Sequence, residues 1–168
     1  MKGSRIEACL TPQQSARLLM KCGFRSGDPV AFTAEVGGRA IVELFGNLLA
    51  GVVSVPLNPK LGAKEREHVL GDSGAVFVDE FYDRAPDASS NLLRRMSTID
   101  PAFVLYTSGT TGSPKGAVIR ASSIAANIDA LSPAWRWSDA DVLVHALPIF
   151  HVHGLILGAR AASHRWRS

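Results

Sequence analysis

Short apolar runs alternate with stretches of helical periodicity along the first two thirds of the chain, and this alternation limits the fold more than any other feature. The runs are Pro29-Val30-Ala31-Phe32-Thr33, Val52-Val53-Ser54-Val55, Ala75-Val76-Phe77-Val78 and Ala102-Phe103-Val104-Leu105-Tyr106. Strands joined through helices run parallel, so the pattern predicts an α/β fold: a mostly parallel sheet with flanking helices. Thr11 is placed to cap a first helix, with Pro12 at its first position and Ala16, Leu18, Leu19 and Met20 continuing it to Cys22-Gly23. In a second helix Ala40, Ile41, Leu44, Phe45, Leu48 and Leu49 recur at helical spacing, Arg39, Glu43 and Asn47 fall elsewhere on the wheel, and Gly51 suits the C-cap. The next strand ends at Pro56, and a charged helix from Ala63 to Leu70 keeps Glu65, Arg66 and Glu67 at the surface before Asp72-Ser73-Gly74 turns the chain.

Further along, residues 79–100 read as a polar surface connection with at most one short helix. Ser122 or Ser123 is positioned to cap a helix carrying Ile124, Ala125, Ile128 and Leu131, which Pro133 ends, and Trp135-Arg136-Trp137 reads as a packing corner. Val142 to Leu147 reads as another strand.

Hydrophobic residues make up 46% of the 168 and charged residues 20%, a balance that gives a chain of this length a real core. The formal net charge of +3 is matched by Arg160, Arg165 and Arg167 in the last ten residues, so the body carries no basic excess for a nucleic-acid partner. Cys9 and Cys22 form neither a disulfide framework nor a metal-ligand pattern, and no apolar run reaches membrane-spanning length. The expectation is a soluble cytoplasmic protein without nucleic-acid or membrane partners. Oligomeric state is not legible.

Between the apolar runs 102–106 and 117–119 lies Thr107-Ser108-Gly109-Thr110-Thr111-Gly112-Ser113-Pro114-Lys115-Gly116. Glycines let the backbone approach an anion, Ser/Thr hydroxyls and N–H groups donate to its oxygens, and a lysine balances its charge. The alternative of a Gly/Ser/Thr/Pro linker accounts for the composition but not for the flanking apolar strands. The spacing Gly-x-x-Gly-x-x-Lys-Gly also differs from a Walker A loop, because Gly116 stands where the magnesium-binding hydroxyl would follow the lysine.

Tyr106 to Gly116 resembles the signature of the adenylate-forming (AMP-binding) superfamily of acyl-CoA synthetases, peptide-synthetase adenylation domains and luciferases. The resemblance extends over residues 11–158, and with Val-Pro-Leu-Asn-Pro-Lys (55–60) and Leu-Pro-Ile-Phe-His-Val-His-Gly-Leu (147–155) it is most like the malonyl-CoA synthetases. It implies a partial N-terminal domain of that fold in residues 1–158. It also implies a two-step reaction: a carboxylate attacks the α-phosphorus of ATP to give an acyl-adenylate, and coenzyme A then displaces AMP. On this resemblance Thr107, Ser108, Gly109, Thr110, Thr111, Gly112 and Lys115 bind ATP, with Lys115 also catalytic and Mg²⁺ assisting. A small carboxylic acid is the remaining substrate.

The histidines 145, 151 and 153 leave three readings open: a metal site built from alternate residues of one strand, ordinary packed or surface residues, and the family's role for this segment. The resemblance places His151 at the family's gating position near the activated carboxylate, as a catalytic and substrate-binding residue. It places His153 facing the acid, where a cationic side chain suits a small dicarboxylate such as malonate. No metal ligand set is assigned. Residues 159–168 abandon the preceding apolar pattern and read as an atypical basic tail, from a frameshift, a fragment end or a coincidentally basic terminus. The family's later adenine-, ribose- and magnesium-binding segments and its C-terminal catalytic lysine have no counterpart here. Two expectations follow: part of an acid:CoA ligase, inactive alone, or a non-catalytic degenerate fragment with residual phosphate binding.

Overall fold

The computed structural model describes residues 11–35, 37–78, 101–107, 112–138, 140–141 and 146–157. The expected 79–100 connection, loop residues 108–111, residues 142–145 of the expected late strand and the 159–168 tail lie outside them.

Helix α1 (Pro12–Lys21) begins at a capping box in which the Thr11 hydroxyl accepts from the Gln14 N–H at 3.3 Å and the Gln14 side chain accepts from the Thr11 N–H at 2.7 Å. Strand β1 (Pro29–Thr33), helix α2 (Gly38–Ala50), strand β2 (Val53–Leu57), helix α3 (Ala63–Ser73) and the short strand β3 (Val76–Phe77) follow in the expected alternation. Strand β4 (Pro101–Thr107) and strand β5 (Lys115–Arg120) flank the Gly/Thr-rich loop, and helix α4 (Ala121–Ala134) and a last helical turn, α5 (152–157), complete the set.

The five strands form one sheet in the order β3-β1-β2-β4-β5. Pairing is parallel from β3 to β4, as expected, and antiparallel between β4 and β5. The two sides of the sheet carry separate cores. One gathers Leu18 and Leu19 of α1, Leu44 of α2, Val30 and Phe32 of β1, Phe103 and Leu105 of β4, Ile124 of α4, and Ile149 and Leu155 around α5. The other gathers Ala31, Val55 and Leu57 with Val69 of α3, and Leu70, Val104 and Tyr106 pack against it. Residues alternate between these cores along β1 and β4, as a strand buried on both faces requires.

Four local expectations are corrected. Glu43 and Asn47 are fully buried rather than outside the packed face of α2, because α1 covers a second side of that helix; Arg39 Nε donates to Glu43 Oε1 at 2.8 Å to offset the burial. Pro56 lies inside β2, opposite Phe32, where the recorded pairing with β4 has already ended at Ser54↔Phe103 and a missing N–H costs no ladder bond. Helix α3 runs through Asp72 and Ser73 to a left-handed Gly74, so the expected turn is the helix's last turn and cap. Helix α4 starts from Arg120 without a side-chain cap, neither Ser122 nor Ser123 serving, and Pro133 sits inside its final turn. The tryptophan corner is a surface pair: Trp135 and Trp137 meet edge to face, centroids 5.3 Å apart.

Candidate functional site

The hairpin of β4 and β5 carries the loop. Its register pairs Phe103 with Ile119, Leu105 with Ala117, Tyr106 with Gly116 and Thr107 with Lys115, so Thr107 and Lys115 face each other at the mouth. Directly opposed residues share a face, and that face is the one Phe103, Leu105 and Ile119 turn toward α1, α2 and α4. Lys115 is the first residue of β5 rather than a loop residue, so a strand carries its ammonium. Both Thr107 and Lys115 are exposed, and among the described residues Lys115 makes no ion pair. Gly112 has φ +113°, in the left-handed region that favours glycine, and a Cβ there would meet nothing within 4 Å among the described residues. Of the expected ATP-binding set, Thr107, Gly112 and Lys115 are described; Ser108, Gly109, Thr110 and Thr111 lie outside the described residues. An exposed lysine and an exposed hydroxyl facing each other at one mouth suit an anion.

On the opposite face, a side chain at position 116 would come within 2.9 Å of Val104 Cγ1 and 3.0 Å of Tyr106 Cζ, so glycine lets the Tyr106 ring lie across β5. The Tyr106 hydroxyl then donates to Asp72 Oδ2 of α3 at 2.6 Å. Burial first, and then the bond and negative charge of Asp72, push the phenol up to about 12. One helical turn earlier, His68 Nε2 lies 2.9 Å from the carbonyl oxygen of Pro114, and since a carbonyl only accepts, Nε2 carries the proton. Neither contact was legible in the sequence: His68 was unremarkable and Asp72 read as a turn residue, because both bonds span more than thirty residues.

The second motif packs on the same side of the sheet as Thr107 and Lys115. Ile149 and Leu155 are buried in the larger core and Phe150 packs against it. His151 and His153 are exposed. The His151 N–H donates to the Pro148 carbonyl at 3.2 Å, its own carbonyl accepts from Leu155 at 2.9 Å, and its ring lies 4.6 Å from that of Phe150. A Cβ on Gly154 would fall 2.7 Å from the Pro148 carbonyl carbon, which explains a glycine at that position of the motif. The alternative in which these histidines share a strand face does not hold for His151 and His153: residues 152–157 are helical and His151 lies in the bend before them. His145 lies outside the described residues, and no group of three metal-ligating side chains occurs among the described ones. No described helix is long and apolar enough to cross a membrane. Of the two cysteines Cys22 is free and exposed.

Comparison with known proteins gives this geometry a context. The family of AMP-binding enzymes matches residues 11–94 and again 79–164. A protein of Humulus lupulus named as a probable CoA ligase is 50% identical over 171 residues, covering 79% of this chain and 28% of the relative. A malonate–CoA ligase of Arabidopsis thaliana is 29% identical over 170 residues, covering 79% of this chain and 27% of the relative. Among solved structures, a malonyl-CoA ligase ternary product complex with methylmalonyl-CoA and AMP superposes with TM-score 0.73 at 36% identity, covering 98% of this chain and 41% of the other. The acid named differs among relatives, which include an oxalate–CoA ligase of Arabidopsis thaliana and a fatty acid–carrier-protein ligase of Streptomyces coeruleorubidus. The chain spans between 26% and 28% of the length of the first three curated relatives it matches.

Proposed function

The chain belongs to the family of AMP-binding enzymes, and from that premise we propose that its residues form the triphosphate grip and one wall of the acid site of an ATP-dependent acid:CoA ligase. The observation that carries this reading is the mouth of the β4–β5 hairpin, where Thr107 and Lys115 oppose each other on the side of the sheet against which the second motif packs. In the reaction a carboxylate oxygen bonds to the α-phosphorus of ATP while the bond to the leaving pyrophosphate breaks. Negative charge grows on that leaving group. Lys115 and the hydroxyls of Thr107, Ser108, Thr110 and Thr111 stabilise it, and a donor fixed in advance costs no reorganisation when the charge appears. The glycines 109 and 112 admit the phosphates to the backbone N–H groups. Magnesium arriving with ATP would spread the triphosphate charge, with the Thr107 hydroxyl contributing to its surroundings. The second step, in which the CoA thiolate displaces AMP, passes by His151.

Malonate is the favoured acid. The relatives named for malonate support it, as does an exposed pair of histidines able to turn cationic beside a second carboxylate. The test uses these residues in a chain continued to the length of the relatives, measuring AMP and acyl-CoA formation from malonate, oxalate and acetate. Malonate is expected to lead. His153→Ala should lower kcat/KM for malonate by about 10- to 100-fold, the worth of a bond to a charged group, while leaving acetate and ATP affinity unchanged. Equal loss for every acid would contradict the role of His153, and absence of AMP release with any acid would contradict the ligase reading.

A further inference from the structure

Helix α3 touches the hairpin on both sides of its mouth: at Tyr106, the β4 residue just before Thr107, and at Pro114, the residue that leads into β5. His68 and Asp72 stand four residues apart and so share a face of the helix. His68 donates to Pro114, the residue before Lys115, and Asp72 accepts from Tyr106, the residue before Thr107. Gly116 belongs to the same device, since a side chain there would occupy the path by which Tyr106 reaches α3. The arms need such a support. Strand β5 ends the sheet, pairs among the described strands with β4 alone, and leaves Val118 63% exposed.

We propose that His68 and Asp72 are positioning residues: gripping Pro114 and Tyr106 from one helix face, they fix the separation and direction of Thr107 and Lys115 at the width a triphosphate requires. Its catalytic consequence rests on the reading of the loop as an ATP grip, whereas the clamp itself needs no ligand. Hydrogen bonds between side chains and hairpin arms act here through geometry, because a phosphate contact misplaced by about an ångström loses much of its value. The phenol's raised pKa agrees with a proton kept on Tyr106 for donation to Asp72.

The experiment is site-resolved amide hydrogen exchange on the 168-residue chain, with a MgATP titration beside it. Tyr106→Phe, Asp72→Ala and His68→Ala should each speed exchange at residues 106, 107, 115 and 116 by about 2- to 10-fold, the worth of one hydrogen bond, with residues 103 and 119 unmoved. Asp72→Asn and His68→Gln, which keep an acceptor and a donor, should restore the parent rates. Unchanged rates at the mouth would overturn the clamp. So would equal acceleration at 103 and 119, which is what a general structural role gives. The two readings separate cleanly: selective loosening in a chain that takes no MgATP upholds the clamp and removes the ATP grip, while MgATP bound equally by parent and variants with unchanged exchange does the reverse.

Discussion

Lys115 illustrates what single residues contribute. It opens β5 with its ammonium at the mouth of the hairpin, opposite Thr107. In a chain of the relatives' length Lys115→Ala should slow acyl-adenylate formation by about 100-fold or more, the usual cost of losing one fixed donor to a developing charge. Unchanged single-turnover kinetics would contradict that. Tyr106 gives a prediction in pH. Its pKa rises from 10.0 in the unfolded chain to about 12 in the fold, so folding favours the neutral phenol. The stability this supplies is complete below pH 10 and disappears as pH rises through 12. The parent should therefore lose stability relative to Tyr106→Phe between those values in urea titrations; a difference that stays flat or widens with alkali would contradict a phenol raised by burial and by Asp72. Lys115 and Thr107 could be proposed from the sequence because their residue type and spacing suit an anion, and the hairpin register sets them face to face. Asp72 and His68 could not, since a hydrogen bond between distant segments leaves no periodic trace.

At the scale of elements, α2 shows where a hydrophobic wheel misleads. Its pattern placed Glu43 and Asn47 off the apolar stripe, yet the helix is packed on two sides and both are buried. Gly46 makes the second contact possible: a Cβ there would stand 2.5 Å from Ser15 Cβ in α1. Helix propensity alone would reward Gly46→Ala with about 1 kcal/mol, but overpacking costs about 1–3 kcal/mol. The variant should be less stable by about 1 kcal/mol in urea unfolding, and a more stable one would contradict the close approach of the helices. The element order and the parallel pairing from β3 to β4 followed from the alternation of apolar runs and caps, because each strand must be hydrophobic on both faces and each helix on one. The antiparallel turn of β5 did not follow from it. It follows from the connection instead: the residues between Thr107 and Lys115 are too few for a parallel crossover, which takes about a dozen or more, so β5 must return antiparallel.

For the molecule as a whole, the sheet, the hairpin and α5 place Thr107, Lys115 and the second motif on one side of the sheet. On the proposed function, this side of the sheet contributes part of an acid:CoA ligase site. The sequence conveyed the family through a motif of eleven residues, whereas the acid proposed rests on the two exposed histidines His151 and His153. The most direct measurement is calorimetric titration of the 168-residue chain with MgATP, alongside Lys115→Ala and an assay for AMP. The account predicts saturable binding, weakened about 10- to 100-fold by the substitution as a charge-assisted contact is lost, without AMP release. No binding, or equally tight binding by the alanine variant, would contradict the ATP grip.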